Sequence, residues 1–204
     1  MTQLNLMGYS SGLTLDIAQV ATDQKYEVTL FHNGPLFEKI DSPVKRLDTL
    51  DLKVSSALGF VEPKSRFSLF EKVEMFGKTD WVNLVADDAK VSPSSQVFEG
   101  VFINHGAVIA SKAVIGRHTI INRLAGIGHH STISEFVFIG PGAQILGNTV
   151  IGKGSFIGAG SVILERVQVG ENSIVGAGSV VTKNVPDNVV VYGNPAKFVR
   201  ANKV

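Results

Sequence analysis

From Val91 to Val181 every sixth residue is isoleucine or valine, without interruption, and the residue four places after each, from Ser95 to Val185, is small or β-branched. A helix repeats every 3.6 residues and a strand every two, so neither carries a ladder of six over this length. Triangular coils do: each hexad supplies a short strand and a corner, and three hexads complete a turn. Residues 18 apart then stack, with the aliphatic side chain inward and the small one in the tight position beside it. Most of the 21 glycines lie in this half. Gly116, Gly140, Gly152, Gly158, Gly170 and Gly176 directly follow the aliphatic residue, which reads as the place where the backbone turns toward a corner.

The first 86 residues follow a different pattern. An apolar strand over 3–7 leads through Gly8-Tyr9-Ser10-Ser11-Gly12 into an amphipathic helix over 13–20. A strand over 26–31 ends at His32-Asn33-Gly34, another is expected around 54–61, and a helix follows Pro63 with Phe67, Phe70, Val73 and Phe76 on its apolar face. A further strand is expected over 81–85. The expected organisation is a small α/β domain with a Rossmann-like parallel sheet over 1–86, then an all-β helix over 87–204. Amides of the turn from Gly8 to Gly12 suit a phosphate, a weak signal because such turns are common.

Composition removes several functions. Lys and Arg number 19 against 18 Asp and Glu, with no basic run, so nucleic acid is not an expected partner. No apolar stretch approaches the ~20 residues that span a bilayer, and residues 1–10 lack a signal-peptide pattern, so membrane insertion is not expected and the cytoplasm is. Zero cysteines exclude a thiol nucleophile and cysteine-ligated zinc.

The hexads, with Gly158-Ala159-Gly160-Ser161, Gly176-Ala177-Gly178-Ser179 and the tail Gly193-Asn194-Pro195-Ala196-Lys197, resemble the left-handed β-helix acyltransferases. The order of domains, Ile127-Gly128-His129, Gly140-Pro141-Gly142-Ala143 and Gly147-Asn148 look like the sialic acid O-acetyltransferase and bacillosamine N-acetyltransferase group. The resemblance implies a homotrimer with acetyl-CoA in a groove between neighbouring β-helices, a nucleotide-sugar acceptor held by the N-terminal domain, and no metal. It implies acetyl transfer to the amino group of the sugar by direct attack, or alternatively to a sugar hydroxyl.

His129 stands third in its hexad, so it projects from a corner, and an imidazole is mostly neutral near pH 7. The resemblance makes it the general base; a solvent-facing corner histidine is the plainer reading. Gly147 lies 18 residues on, along the same corner row. The resemblance makes its N–H the oxyanion donor and a contact for the pantetheine arm; a simple turn glycine is the alternative. Ala159 and Ala177 share another row, where the resemblance implies amide contacts to the same arm and ordinary small corner residues are the alternative; Lys197 and Arg200 are candidates for the CoA phosphates, with a pair of solvated charges as the alternative. On the acceptor side the candidates are Gly8, Ser10, Ser11, His32, Asn33, Asn122 and His130. The family carries Asp or Glu directly after its base, whereas this chain has His130; Phe138 replaces a second histidine, and Leu13 and His32-Asn33 replace family residues in the first domain. A zinc enzyme on the same scaffold needs three convergent histidines, and His105, His118, His129 and His130 do not reproduce that spacing. A non-catalytic trimerising scaffold is the third class.

Overall fold

A computed structural model describes residues 1–8, 12–32, 44–46 and 49–203. The chain divides into two compact units, Met1–Leu84 and Val85–Val204.

In the first unit the strands β1 (Thr2–Met7), β2 (Tyr26–Phe31), β3 (Val44–Lys45) and β4 (Ser55–Leu58) form a parallel sheet in the order β3-β2-β1-β4. β1 is central, and Leu4, Leu6 and Met7 are wholly buried. Helix α1 (Gly12–Asp23) packs Leu13, Ile17, Val20 and Ala21 inward, the i, i+4, i+7, i+8 stripe its spacing dictates. Helix α2 (Pro63–Phe76) has its proline in the first turn. Its buried stripe is Pro63, Arg66, Leu69 and Val73, so the expected face is rotated: Phe76 lies exposed and a charged residue takes an inner position. The strand expected over 81–85 shrinks to a bridge between Trp81 and Ser56 and the two-residue strand Leu84–Val85.

The second unit is a three-sided parallel β-solenoid. Two-residue strands pair with the strand 18 residues on, as in Ile121 with Ile139, Ile139 with Ile157 and Ile157 with Val175. Inside, the aliphatic column from Ile103 to Val181 is at most 2% exposed. The small row beside it is equally closed, and its hydroxyls find corner carbonyls: Ser131 Oγ donates to Leu146 O at 2.9 Å, and Ser155 Oγ to Gly170 O at 2.7 Å.

The corners correct one expectation. From residue 100 to residue 178 every sixth residue, fourth in its hexad, has φ between 50° and 70°. These are the turning residues, and they include Lys112, Leu124, His130 and Arg166. The glycines that follow the aliphatic residue serve close packing instead. A Cβ added to Gly128, Gly140 or Gly152 would stand 2.6 Å from the backbone nitrogen of Gly147, Ala159 or Glu171, one coil on. The six-residue register also ends earlier than read. Val185 pairs with Val169, 16 residues away, and so takes an aliphatic-row place instead of the small-row place. Two side chains supply the acceptors that the shortened coil lacks: Asn184 Oδ1 accepts from Gln168 N–H at 2.9 Å and Asp187 Oδ1 from Glu171 N–H at 2.7 Å. Val189–Gly193 then pairs antiparallel with Ala196–Ala201, a tail hairpin that the repeat does not foretell.

Ile139 is fully buried while Val150 faces outward at 39% exposure. Ile139→Ala should lower unfolding stability by about 2–5 kcal/mol in urea titration, and Val150→Ala by less than about 1 kcal/mol.

Candidate active site

The solenoid places residues 18 apart in direct succession along an edge, so third-place residues Ser111, His129, Gly147 and Glu165 form one row. His129 is exposed, and its imidazole lies over Gly147: a Cβ added there would stand 2.6 Å from His129 Cε1 and 2.8 Å from Nε2. Glycine is required by this approach and not by backbone torsion, since its φ lies outside the left-handed region. The ring buries Gly147, so the glycine is less open than its sequence position implies.

Third-place amides stand outside the coil-to-coil ladder, in which the neighbouring fourth-place N–H takes the bond; Asn148 N–H donates to His129 O at 2.9 Å. Among the described residues no acceptor pairs with the N–H of Gly147, Ala159 or Ala177. Some others of the class are satisfied by side chains, as Arg123 N–H is by Asn122 Oδ1 at 2.7 Å. Glycines keep the three amides uncovered from the preceding coil, because a Cβ on Gly128, Gly140 or Gly158 would meet the nitrogen of Gly147, Ala159 or Ala177 within about 2.6 Å. Other third-place amides, such as those of Ser111 and Glu165, are likewise unfilled, so it is the bare surroundings of these three on a rigid scaffold that suit them to ligand oxygens.

The imidazoles of His129 and His130 meet edge to face, with centroids 5.3 Å apart and planes at 86°, and their Nδ1 atoms are 3.1 Å apart. A carboxylate-bound imidazole does exist elsewhere: His105 Nδ1 is 2.9 Å from Asp88 Oδ1. The His105 hydrogen bond is the largest cause holding the Asp88 carboxyl below its ordinary pKa.

Ala159 and Ala177 occupy a different edge, which also carries His105 and Arg123. Asn122 adjoins that edge and is buried at 4% exposure, its Oδ1 accepting from Asn104 Nδ2 at 3.0 Å as well as from Arg123 N–H. A single chain therefore does not bring Asn122, Ala159 or Ala177 to His129. Lys197 is exposed on the tail hairpin, where its register partner is Tyr192.

In the first unit the strand order reverses direction between β1 and β4, the switch point at whose carboxyl ends open α/β sheets hold ligands. Gly8 (φ +89°) closes β1, donating to Phe31 O at 2.8 Å, and Gly59 follows β4, donating to Met7 O at 2.7 Å. A Cβ on Gly8 would stand 2.6 Å from the Phe60 ring, and the His32 ring meets Phe60 edge-on at 6.2 Å. Ser10, Ser11 and Asn33 lie outside the described residues. Sequence reading overlooked Gly59 and Phe60, although a glycine directly after the third long strand is a recognisable signal. It also overlooked Arg66, which is fully buried and donates through Nη1 to Phe60 O at 3.1 Å and Val61 O at 2.5 Å. Burial pulls its guanidinium down to about 9, so the group stays charged at neutral pH while pinning the segment after Gly59. Among the described residues no group of three or more His, Cys, Asp or Glu is placed to hold a metal ion, and no helix is long and apolar enough to cross a membrane.

Residues 130–165 and 148–183 match the family model described as bacterial transferase hexapeptide (six repeats). Whole-chain likenesses extend to the α/β unit. A His-to-Asn variant of perosamine N-acetyltransferase from Caulobacter crescentus, solved with CoA and GDP-perosamine, is 25% identical with a TM-score of 0.89, covering 98% of this chain and 97% of that one. The acetyltransferase domain of PglB from Neisseria gonorrhoeae, in complex with acetyl coenzyme A, is 28% identical with a TM-score of 0.89, covering 97% and 98%. The chain thus has the fold of these sugar N-acetyltransferases, a small α/β unit followed by a left-handed β-helix. A serine acetyltransferase of Synechocystis is 38% identical over 72 residues, 30% of this chain; the match spans 29% of that relative's length.

Two substitutions probe this geometry. Gly147→Ala should displace the His129 ring, changing its side-chain NMR signals while the melting temperature moves little, because the backbone there accepts an L-residue. Arg66→Ala strips donors from two carbonyls and should lower stability by roughly 1–3 kcal/mol in denaturant titration.

Proposed function

We propose that this chain is an acetyl-CoA-dependent acetyltransferase acting on the amino group of a nucleotide-activated sugar. The observation that carries the reading is the His129 imidazole lying over Gly147, whose amide has no acceptor among the described residues. The sugar amine attacks the thioester carbonyl carbon, and His129 Nε2 takes the proton that the amine loses as the C–N bond forms. The Gly147 N–H faces the oxygen as it becomes an oxyanion, and a preorganised donor of this kind contributes roughly 3–4 kcal/mol to the barrier. Collapse breaks the C–S bond, and His129 returns its proton to the departing CoA thiolate. Direct attack forms no acyl-enzyme, and the chain has no cysteine on which an acyl thioester could form.

The donor-side candidates belong together around that step in a homotrimer. His129 and Gly147 occupy one edge of the prism while Ala159, Ala177 and Asn122 belong to another, so one site using both sets takes them from two chains. The amides of Ala159 and Ala177 then hold the pantetheine arm, and Lys197 with Arg200 offers cations for the CoA phosphates. Gly8 and His32, with Gly59 and Phe60, form the carboxyl-end crevice for the nucleotide sugar, and Ser10, Ser11 and Asn33 belong to the same stretch of sequence. An amine is favoured over a sugar hydroxyl because His129 faces a second imidazole and not a carboxylate, and a hydroxyl acceptor demands a stronger base.

CoA release should be measured with acetyl-CoA and a panel of UDP-, dTDP-, GDP- and CMP-linked sugars, with and without a free amine. At least one amino sugar should be acetylated. His129→Ala should reduce its kcat by roughly 100-fold or more, while acetyl-CoA still raises the melting temperature. No release with any acceptor, or a His129→Ala variant at wild-type turnover, would overturn the reading.

A further inference from the structure

We infer that His130 is a positioning residue that sets the tautomer of His129, so that a histidine pair, and not a lone imidazole, carries the acid limb of the activity. The inference rests on the reading of His129 as base and adds what holds that base ready.

Two Nδ1 atoms 3.1 Å apart need one proton between them. With the proton on His129 Nδ1, the lone pair of His129 Nε2 points outward and is basic. With the proton on His130 Nδ1, His129 must carry its own at Nε2 and cannot accept one from a substrate. Catalysis therefore runs through the first arrangement, in which His130 is neutral and accepts. At the His105–Asp88 pair of the same chain a carboxylate imposes that tautomer on the imidazole; at His129 a second, titratable ring takes its place.

The surroundings leave the pair to decide between the arrangements. Among the described residues neither ring pairs with a carboxylate. One coil earlier the same edge carries Ser111 and Lys112, and one coil later Gly147 and Asn148. The next coil carries Glu165 and Arg166, and Glu165 is engaged by Arg166 at 3.4 Å and by Asn148 Nδ2 at 3.3 Å.

One added proton disables the base wherever it lands. On His129 Nε2 it fills the lone pair; on His130 it turns Nδ1 into a donor and drives His129 into the wrong tautomer. A second proton sets two donors face to face and separates the rings. The logarithm of kcat/KM should fall with acidification at slope one and then approach slope two, as coupled sites do.

The closing experiment uses three variants at a corner with φ of +58°, where Gly, Asn and Asp are tolerated. His130→Gly removes the acceptor, and kcat should fall about 10- to 100-fold with the CoA-induced rise in melting temperature kept. His130→Asn retains an oxygen acceptor that cannot titrate: kcat should stay within a few-fold and the acid limb should become slope one throughout. His130→Asp should also give slope one, with the limb moved to higher pH because an anion stabilises the imidazolium. In ¹H–¹⁵N spectra of the histidine rings above pH 8, the tautomer balance of His129 should change in His130→Gly. An unchanged balance, or His130→Gly with wild-type kcat and acid limb, would overturn the pairing. If His129→Ala is fully active while the balance does change, the base assignment fails and the pairing stands.

Discussion

The structure depends on a backbone ladder between coils that tolerates no slippage. Each two-residue strand bonds to strands 18 residues before and after it, and the aliphatic column inside is closed to water from Ile103 to Val181. A shift of one residue would turn the buried row outward, so hydrophobic burial fixes the register in every coil. The ladder also imposes a left-handed backbone on every sixth residue, including residues with side chains, at a cost of order 1–3 kcal/mol each that cooperative stacking offsets.

That fixed register is what builds the site. Because residue n lies beside residue n+18, His129 must meet whatever stands at 147, and only glycine admits the imidazole. One place further on, at n+19, Gly128 stands against the Gly147 amide and Gly140 and Gly158 against those of Ala159 and Ala177. None of these contacts calls for a flexible loop, so the donors and the ring are held before any ligand arrives, the condition under which oriented dipoles are most effective.

Most of this was legible in the sequence because the repeat is geometrically strict. Counting by six located the core, and counting by 18 placed Gly147 beside His129. What stayed hidden was conformation within the hexad. The sequence reading put the turns at the glycines after the aliphatic residue, although Lys112, Leu124 and His130 bear the left-handed torsions, because ladder bonds outweigh the local preference for glycine. Val185 fits the small row by count, but a shortened coil moves it to the aliphatic row. In the α/β unit, α2 turns Arg66 inward because Phe60 and Val61 offer carbonyls that no apolar side chain can satisfy. The ring contact between His129 and His130 was equally beyond spacing arguments, since neighbours in sequence face each other only because the corner torsion at His130 folds its ring back.

The two edges that matter differ in a way the fold does not require. At the fourth place, the edge of Ala159 and Ala177 carries Gly106, Leu124, Gly142, Gly160 and Gly178, whereas the edge of His129 carries Lys112, His130, Asn148 and Arg166. Both adopt the same left-handed turn, so the glycine-rich edge has the relaxed corners and the polar edge retains strain. From residue 141 on, that edge reads Pro141-Gly142, Ala159-Gly160 and Ala177-Gly178, a stretch of open backbone along which a long, thin ligand arm can lie. The edge of His129 keeps a polar side chain at each of these corners despite the torsional cost. The proposal of a site shared between chains therefore rests on this asymmetry, an open edge suited to the donor's arm and a polar edge that carries the base, more than on any one residue.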